Sequence, residues 1–507
     1  MCKIIEIETG TIDDLKDSKD CYKSRLNIAA LRAKEYSSVA TIYVLAYNNL
    51  DKTRRCIESI LNYTTDIDYD LILVDNGSTD GTLDYFKSID FKKKLIIHIT
   101  DNKGIFFPQL LISPNMYSRY IIHVANDMIV TSNWLTNLIK VAESDIHIGL
   151  VNPMSSNVSN LQQVDLEFSS YEDMQNKAKD FNVSDPRKWQ ERLRIVTLGT
   201  LYKKECALAV GFPLGDIGFS HNFGDDDYSF RVRRAGYKIV LAGDTWIHHD
   251  DYKSNISPEQ AQKMNEDLAI GRKNFHDKYY GIDAWDDVNN YIPEYINELK
   301  PNDNSGEASV LGIDVKCGTP ILEVKNNLKR FDIFDTDCYG YTTESKYLID
   351  LQTVCGKDNV FSGEIKGFQD YYISNQFTHI VIGNDINTYS EPFRLIKAAY
   401  GLLKQDGQLF FSLQNTSNIF SLAYSLGNTN IHNPSHSINY SVEEFLSLLL
   451  QEKYDAKYIA ARGFEGITIS NELIEFTKNI LQVGCVKNIN ETMFRLTSQR
   501  YFFVITK

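Results

Sequence analysis

Asp70-Leu71-Ile72-Leu73-Val74-Asp75-Asn76-Gly77-Ser78-Thr79-Asp80-Gly81 is an apolar run that stops at a polar turn. Its apolar centre does not alternate with polar residues, which suits a strand covered on both faces. The same pattern occurs at Val39–Leu45, which ends in Tyr47-Asn48-Asn49, and again at Leu95–Ile99 and Tyr120–Val124. Between the first two strands, Asp51–Leu61 places Cys56, Ile57 and Ile60 on one helical face. Strands alternating with helices predict an α/β fold, a parallel sheet wound on both sides. Open sheets of this kind bind ligands at the carboxyl ends of their strands.

Three polar clusters are expected at those ends. They are Ala46-Tyr47-Asn48-Asn49 with Asp51, then Asp75-Asn76-Gly77-Ser78, then Asn126-Asp127-Met128. Asp75 can accept from a pyrimidine N–H, Tyr47 can stack or hydrogen-bond, and Asp127 can ligate a divalent cation. Mg²⁺ and Mn²⁺ favour such oxygen donors. Further on, Gly224-Asp225-Asp226-Asp227-Tyr228-Ser229-Phe230-Arg231 joins a loop to a basic helix, and His248-His249 closes the next strand. Adjacent carboxylates repel one another. They make sense beside a cation, or where one takes a proton from a substrate hydroxyl. Singly, each cluster also has a structural reading, as a turn, a helix cap or a carboxylate at a helix N-terminus.

Together, in this order, the segments resemble family 2 inverting glycosyltransferases of the GT-A fold. The resemblance spans about residues 38–255. It implies that Ala46, Tyr47, Asn48 and Asp51 line a nucleotide pocket and that Asp75 and Asn76 sit at the base. Asn102-Lys103-Gly104 would cover the ribose or phosphate side, beside Asn126 and Asp127. Asp127 matches the last residue of the family's D-x-D metal motif, and Asp225 matches the general base, with Asp226 as a second candidate. Trp246-Ile247-His248-His249 matches the strand that supplies a metal-contacting histidine, with His248 preferred over His249. Two positions depart from the pattern: Ala125 stands at the first D-x-D carboxylate, and Gly224 replaces the acidic residue before the base.

The 507 residues predict two or three domains. A net charge of −14 argues against a nucleic-acid partner. None of the eight cysteines forms a C-x-x-C pair, so a zinc site is not expected and reduced thiols are. No apolar stretch reaches the roughly 18 residues of a membrane span, and no signal peptide is evident, so a cytoplasmic location is expected. Residues 1–37 read as a helical lead-in, 38–300 as the transferase domain with a polar, irregular insertion at 157–192, and Pro301–Gly306 as a linker.

Residues 308–507 begin a second α/β pattern that resembles a class I methyltransferase fold. Val310–Pro320 is similar to the glycine-rich loop that cradles S-adenosylmethionine, and Lys404-Gln405-Asp406-Gly407 reads as a tight turn before a strand. Lys316 and Pro320 occupy positions where glycine lets the backbone approach the cofactor. S-adenosylmethionine is therefore not an expected cofactor, and acceptor docking, dimerisation or scaffolding are the expected roles.

The expected function is metal-dependent, inverting transfer of a hexose or N-acetylhexosamine. The donor would be a nucleoside diphosphate sugar, UDP-linked by preference, and the metal Mn²⁺ or Mg²⁺. The acceptor would be a glycan or a protein hydroxyl, with flagellin or a surface glycan as the analogy. Two alternatives are a bifunctional glycosyltransferase/methyltransferase and a non-catalytic sugar-nucleotide-binding scaffold.

Overall fold

The structure is a computed structural model. It describes residues 3–7, 38–105, 107–112, 115–116, 118–211, 216, 219, 222–250, 257–302, 306–426 and 440–507. The chain forms two compact units, Met1–Asn289 and Asn290–Lys507.

In the first unit the strands are β1 (Lys3–Ile7), β2 (Ala40–Ala46), β3 (Tyr69–Asn76), β4 (Lys94–Ile99), β5 (Tyr120–Ala125), β6 (Met128–Ile129), β7 (Ile148–Ser155), β8 (Trp189–Arg192), β9 (Thr200–Lys203) and β10 (Lys238–His249). The sheet order is β1-β4-β3-β2-β5-β9-β7-β10-β6, with β8 paired to β10. From β4 to β5 all neighbours are parallel; β9 runs antiparallel between β5 and β7. This is the expected GT-A arrangement, a mixed α/β sheet with one reversed strand in its centre.

Side-chain alternation along β2 divides two cores. Ala40, Ile42, Val44 and Ala46 pack with the helices Leu50–Tyr63 and Trp134–Ser144. Tyr43 and Leu45 pack on the opposite face with Tyr202, Tyr228 and Val232. Both faces are apolar, which is why β2 and β3 read as continuous hydrophobic runs.

Three expectations change here. Lys3–Ile7, expected to be helical, is an edge strand parallel to β4, while residues 8–37 lie outside the described residues. The insertion at 157–192 is partly regular: it holds a helix, Tyr171–Phe181, and β8. The second unit takes in Asn290–Lys300, ahead of the expected linker. In that stretch Tyr295 is buried against Phe410 and Phe502, at ring distances of 5.2 and 5.6 Å.

The second unit contains β11 (Glu307–Ile313), β12 (Asp335–Thr342), β13 (Val360–Ser362), β14 (Phe377–Ile382), β15 (Leu403–Gln414), β16 (Asp455–Gly463) and β17 (Ser498–Thr506). Their order is β13-β12-β11-β14-β15-β17-β16, parallel except for β17. That is the Rossmann-like methyltransferase topology expected for this part. The expected turn at Lys404–Gly407 is instead the irregular start of β15, where Asp406 is left-handed at φ 62°.

Candidate active site

A cavity of about 870 Å³ opens beyond the carboxyl ends of β2, β3 and β5 in the first unit. Among the predicted residues, Tyr47, Asn76, Asn102, Gly104, Asn126, Asp127, Asp225, Asp226 and His249 line it. Ala46, Asn48, Asp51, Asp75, Lys103 and His248 are not in its lining.

The residues outside the lining mostly shape the loops. Asp75 is fully buried; its Oδ1 accepts from the Ser78 N–H at 3.0 Å, and its Oδ2 meets His98 Nδ1 at 2.8 Å. Asp75 therefore lies outside the cavity lining, whereas Asp127 and Asp225 are part of it. Asn48 is left-handed at φ 54°. Its N–H donates to Ser78 Oγ, and its Oδ1 accepts from the Thr79 N–H, each at 2.9 Å. Asn126 Nδ2 donates to the Asn48 carbonyl and to Thr53 Oγ1. Asp51 is exposed in the first turn of Leu50–Tyr63. Asn76 Nδ2 donates to Asn102 Oδ1 and to the Gly104 carbonyl, both at 3.0 Å, while its Oδ1 accepts from the Lys103 N–H. These contacts fix the loop after β4 against the end of β3. Gly77 is left-handed at φ 81°, and a Cβ there would lie 2.7 Å from the Asp101 carbonyl carbon, so the two loops meet only because Gly77 lacks one.

At one side of the cavity, β10 pairs antiparallel with β6 and brings His249 opposite Met128. Successive strand residues point to opposite faces. His249 accordingly turns toward Asp127, with Nε2 3.5 Å from Oδ2 and Nδ1 3.3 Å from the Asn157 carbonyl. Burial opposes the charge on His249, but hydrogen bonding to Asp127 and its field outweigh that and raise the pKa. His248, the preferred candidate, points away. Its Nδ1 meets Ser156 Oγ at 2.9 Å and its Nε2 meets Asp250 Oδ1 at 3.2 Å. The His248 contact, with help from Arg55 and Lys52, pulls the Asp250 carboxyl down to about 2.

The helix Gly224–Arg234 also borders the cavity. Its three aspartates have different environments. Asp227 is fully buried and binds Arg231 Nε at 2.8 Å, Lys278 Nζ at 2.5 Å and the Tyr279 hydroxyl at 2.7 Å, tying the helix Pro258–Lys278 to its neighbour. Asp226 is buried in an ion pair with Arg194, and burial raises its pKa. Asp225 is half-buried on the cavity and accepts a hydrogen bond from Thr197 Oγ1. Loss of water pushes its carboxyl up to about 6; the Thr197 bond opposes the rise and Asp226 adds to it.

Arg194, Thr197, Asn157, Asn160, His123 and Trp285 also line the cavity, and the motif reading did not select them. Asn157 and Asn160 lie in the insertion taken as irregular cover. Arg194 and Thr197 precede β9 with no motif around them. The Asp–Arg pairing could have been suspected from three adjacent carboxylates, which require cations if buried.

Among the described residues, no three His, Cys, Asp or Glu groups come together as a preformed metal site. Asp127 and His249 nevertheless suit a cation. An Nδ1–H donated to the Asn157 carbonyl leaves the Nε2 lone pair facing a carboxylate, which is the orientation of a ligating histidine.

In the second unit, the loop after β11 does not suit S-adenosylmethionine. Lys316 stands at φ 55° where the cofactor loop would have a glycine, and Pro320 opens the helix Thr319–Leu328. The buried Asp314 carboxylate is already engaged, by the Thr343 N–H at 2.6 Å, the Thr343 hydroxyl at 2.9 Å and the Tyr389 hydroxyl at 2.7 Å.

Residues 41–193 match the model of Glycosyl transferase family 2. An uncharacterized glycosyltransferase, YfnE, of Bacillus subtilis (strain 168) is 27% identical over 107 residues, which are 21% of this chain and 27% of that protein. Similar solved structures include the mannosyltransferase PcManGT from Pyrobaculum calidifontis in complex with GDP-Man and Mn²⁺ (13% identity, 48% of this chain, 68% of that one, TM-score 0.33). A SAM-dependent methyltransferase from Archaeoglobus fulgidus is also similar (16% identity, 46% of this chain, 99% of that one, TM-score 0.28). The match to the glycosyl transferase family 2 model, residues 41–193, lies within the first unit and its mixed α/β sheet.

Proposed function

We propose that the first unit transfers a sugar from a nucleoside diphosphate sugar to a hydroxyl acceptor, with inversion and with help from a divalent metal. The observation that carries this reading is one cavity lined by Asp127, with His249 beside it, and by Asp225. A bound Mn²⁺ or Mg²⁺, held by Asp127 and His249, would offset charge on the departing diphosphate. Tyr47, exposed at the rim, is free to stack on the base, and Asn102 and Gly104 border the same region. Asp225 takes the proton of the acceptor hydroxyl, whose oxygen bonds to the anomeric carbon as the bond to the diphosphate breaks. A carboxyl near 6 is ionised at neutral pH yet more basic than an ordinary aspartate, as a general base requires. Asp226 and Asp227 are each held by cations, so Asp225 carries this role.

UDP-sugars head the donor classes, with glycan or protein hydroxyls as acceptors. The second unit serves docking or assembly rather than methylation, because its loop and the engaged Asp314 do not suit the cofactor. A thermal-shift screen of UDP- and GDP-sugars with Mn²⁺ tests the reading, since a ligand of the native state raises the melting temperature. Stabilisation by one nucleotide sugar, reduced in Asp127→Ala, is expected. An equal shift in that variant would remove Asp127 from the metal's shell.

A further inference from the structure

Two residues that line the cavity carry buried polar atoms that the catalytic scheme does not use. His123, on β5, lines it, and its Nε2 is buried without a hydrogen-bond partner. The ring stacks on Tyr43, with centroids 4.7 Å apart and planes 11° from parallel. Tyr43 is its register neighbour on β2, so the imidazole is oriented by the sheet itself. Tyr228 lines the same cavity and is almost wholly buried, and its hydroxyl also lacks a partner. Tyr202 completes the wall, edge-on to Tyr228 at 5.4 Å. Asp127 and Asp225 border the same cavity.

A phenylalanine would fill this stack without stranding a polar atom. The Tyr43 hydroxyl, in the same stack but outside the cavity lining, also lacks a partner; most buried polar groups are satisfied, and at a cavity wall a ligand supplies the missing partner. Burial pushes His123 down to about 4, so the ring is neutral at working pH, with one nitrogen donating and the other accepting. A sugar hydroxyl has the same dual capacity.

We propose that His123 is a donor-specificity residue, whose imidazole hydrogen-bonds a hydroxyl of the sugar being transferred while the nucleotide is held elsewhere. This rests on the nucleotide-sugar reading above. His123 makes no bond to the reacting atoms in this scheme; it selects which sugar is held in the cavity, with the Tyr228 hydroxyl beside it.

The experiment is calorimetric titration of the full chain, wild type and His123→Phe, with UDP, GDP, UDP-glucose, UDP-N-acetylglucosamine and GDP-mannose in Mn²⁺. For the best-binding nucleotide sugar, His123→Phe is expected to raise Kd about tenfold, the loss of one buried hydrogen bond. Its Kd for the matching bare diphosphate should change by less than about twofold. The unliganded melting temperature should hold or rise, because the stack on Tyr43 survives. Equal affinities of wild type and variant for the nucleotide sugar, or an equal loss for nucleotide and nucleotide sugar, would overturn the proposal. If the wild type binds none of the five, the nucleotide-sugar reading fails and this one fails with it. If His123→Phe does not fold, His123→Leu is subject to the same comparison.

Discussion

His249 Nε2 stands 3.5 Å from Asp127 Oδ2, while the other ring nitrogen faces the Asn157 carbonyl. Asp127 lies in the turn between β5 and β6 and His249 ends β10, so the two side chains meet because β10 pairs with β6. One histidine and one carboxylate make a site that a proton and a metal ion both want.

That competition gives a pH dependence. Without metal, the raised pKa of His249 favours its charged form beside Asp127. The stabilisation is full below the ordinary histidine range and is lost as pH rises through the raised value. Metal must displace that proton, so Mn²⁺ should bind more tightly at pH 8 than at pH 6. Calorimetry at the two pH values should show the gain in wild type and lose most of it in His249→Gln.

Asp225 predicts the acid limb of the rate profile. Transfer should rise with pH through about 6, where the carboxyl ionises. Thr197→Val removes a hydrogen bond that holds the pKa down, so its limb should move to higher pH. Asp225→Asn should lower kcat about 10²-fold or more, with little change in donor affinity. Steady-state rates from pH 5 to 8 check all three.

The neighbouring Asp226 predicts a loss of stability. Arg194→Met strands a buried carboxylate and should cost about 3–5 kcal/mol, read by urea unfolding. Arg194→Met with Asp226→Leu should recover much of that, because a buried ion pair replaced by apolar groups is often neutral or stabilising. If Asp226→Asn instead abolished transfer without affecting stability, the base would have to be reassigned.

Gly77→Ala should destabilise the first unit by about 1–3 kcal/mol, from a strained left-handed backbone. The clash with Asp101 adds to this and displaces Asn102–Gly104, so nucleotide affinity should fall as well. Thermal unfolding with and without UDP separates the two effects.

The elements that could be read from sequence share a local cause. β2, β3, β4 and β5 are apolar runs stopped by Asn, Asp and Gly, and both the runs and the stops follow from residues a few positions apart. In the second sheet β16 lacks that signal, because its residues are only half-buried and carry a weak apolar pattern. The insertion reads as irregular in sequence because β8 exists only through its pairing with β10. Among candidate site residues, those lying on the cavity and those supporting it look alike in sequence. Asn48, Asn102 and Asn126 all spend their side chains on loop contacts, yet only Asn102 and Asn126 line the cavity, and nothing local distinguishes the three.

By itself, the order of residues determined two α/β sheets, their strand ends, and a set of carboxylates and histidines placed near those ends. Hydrophobic periodicity and turn chemistry are short-range, and they act before the chain has folded. Tertiary structure alone decided which of His248 and His249 faces Asp127, and which of three adjacent aspartates stays open to the cavity. Those outcomes depend on strand pairing and on cations from distant segments: Arg194 for Asp226, and Arg231 with Lys278 for Asp227. Burial and long-range pairing set the charge states of the site, and neither is a property of a local stretch of chain.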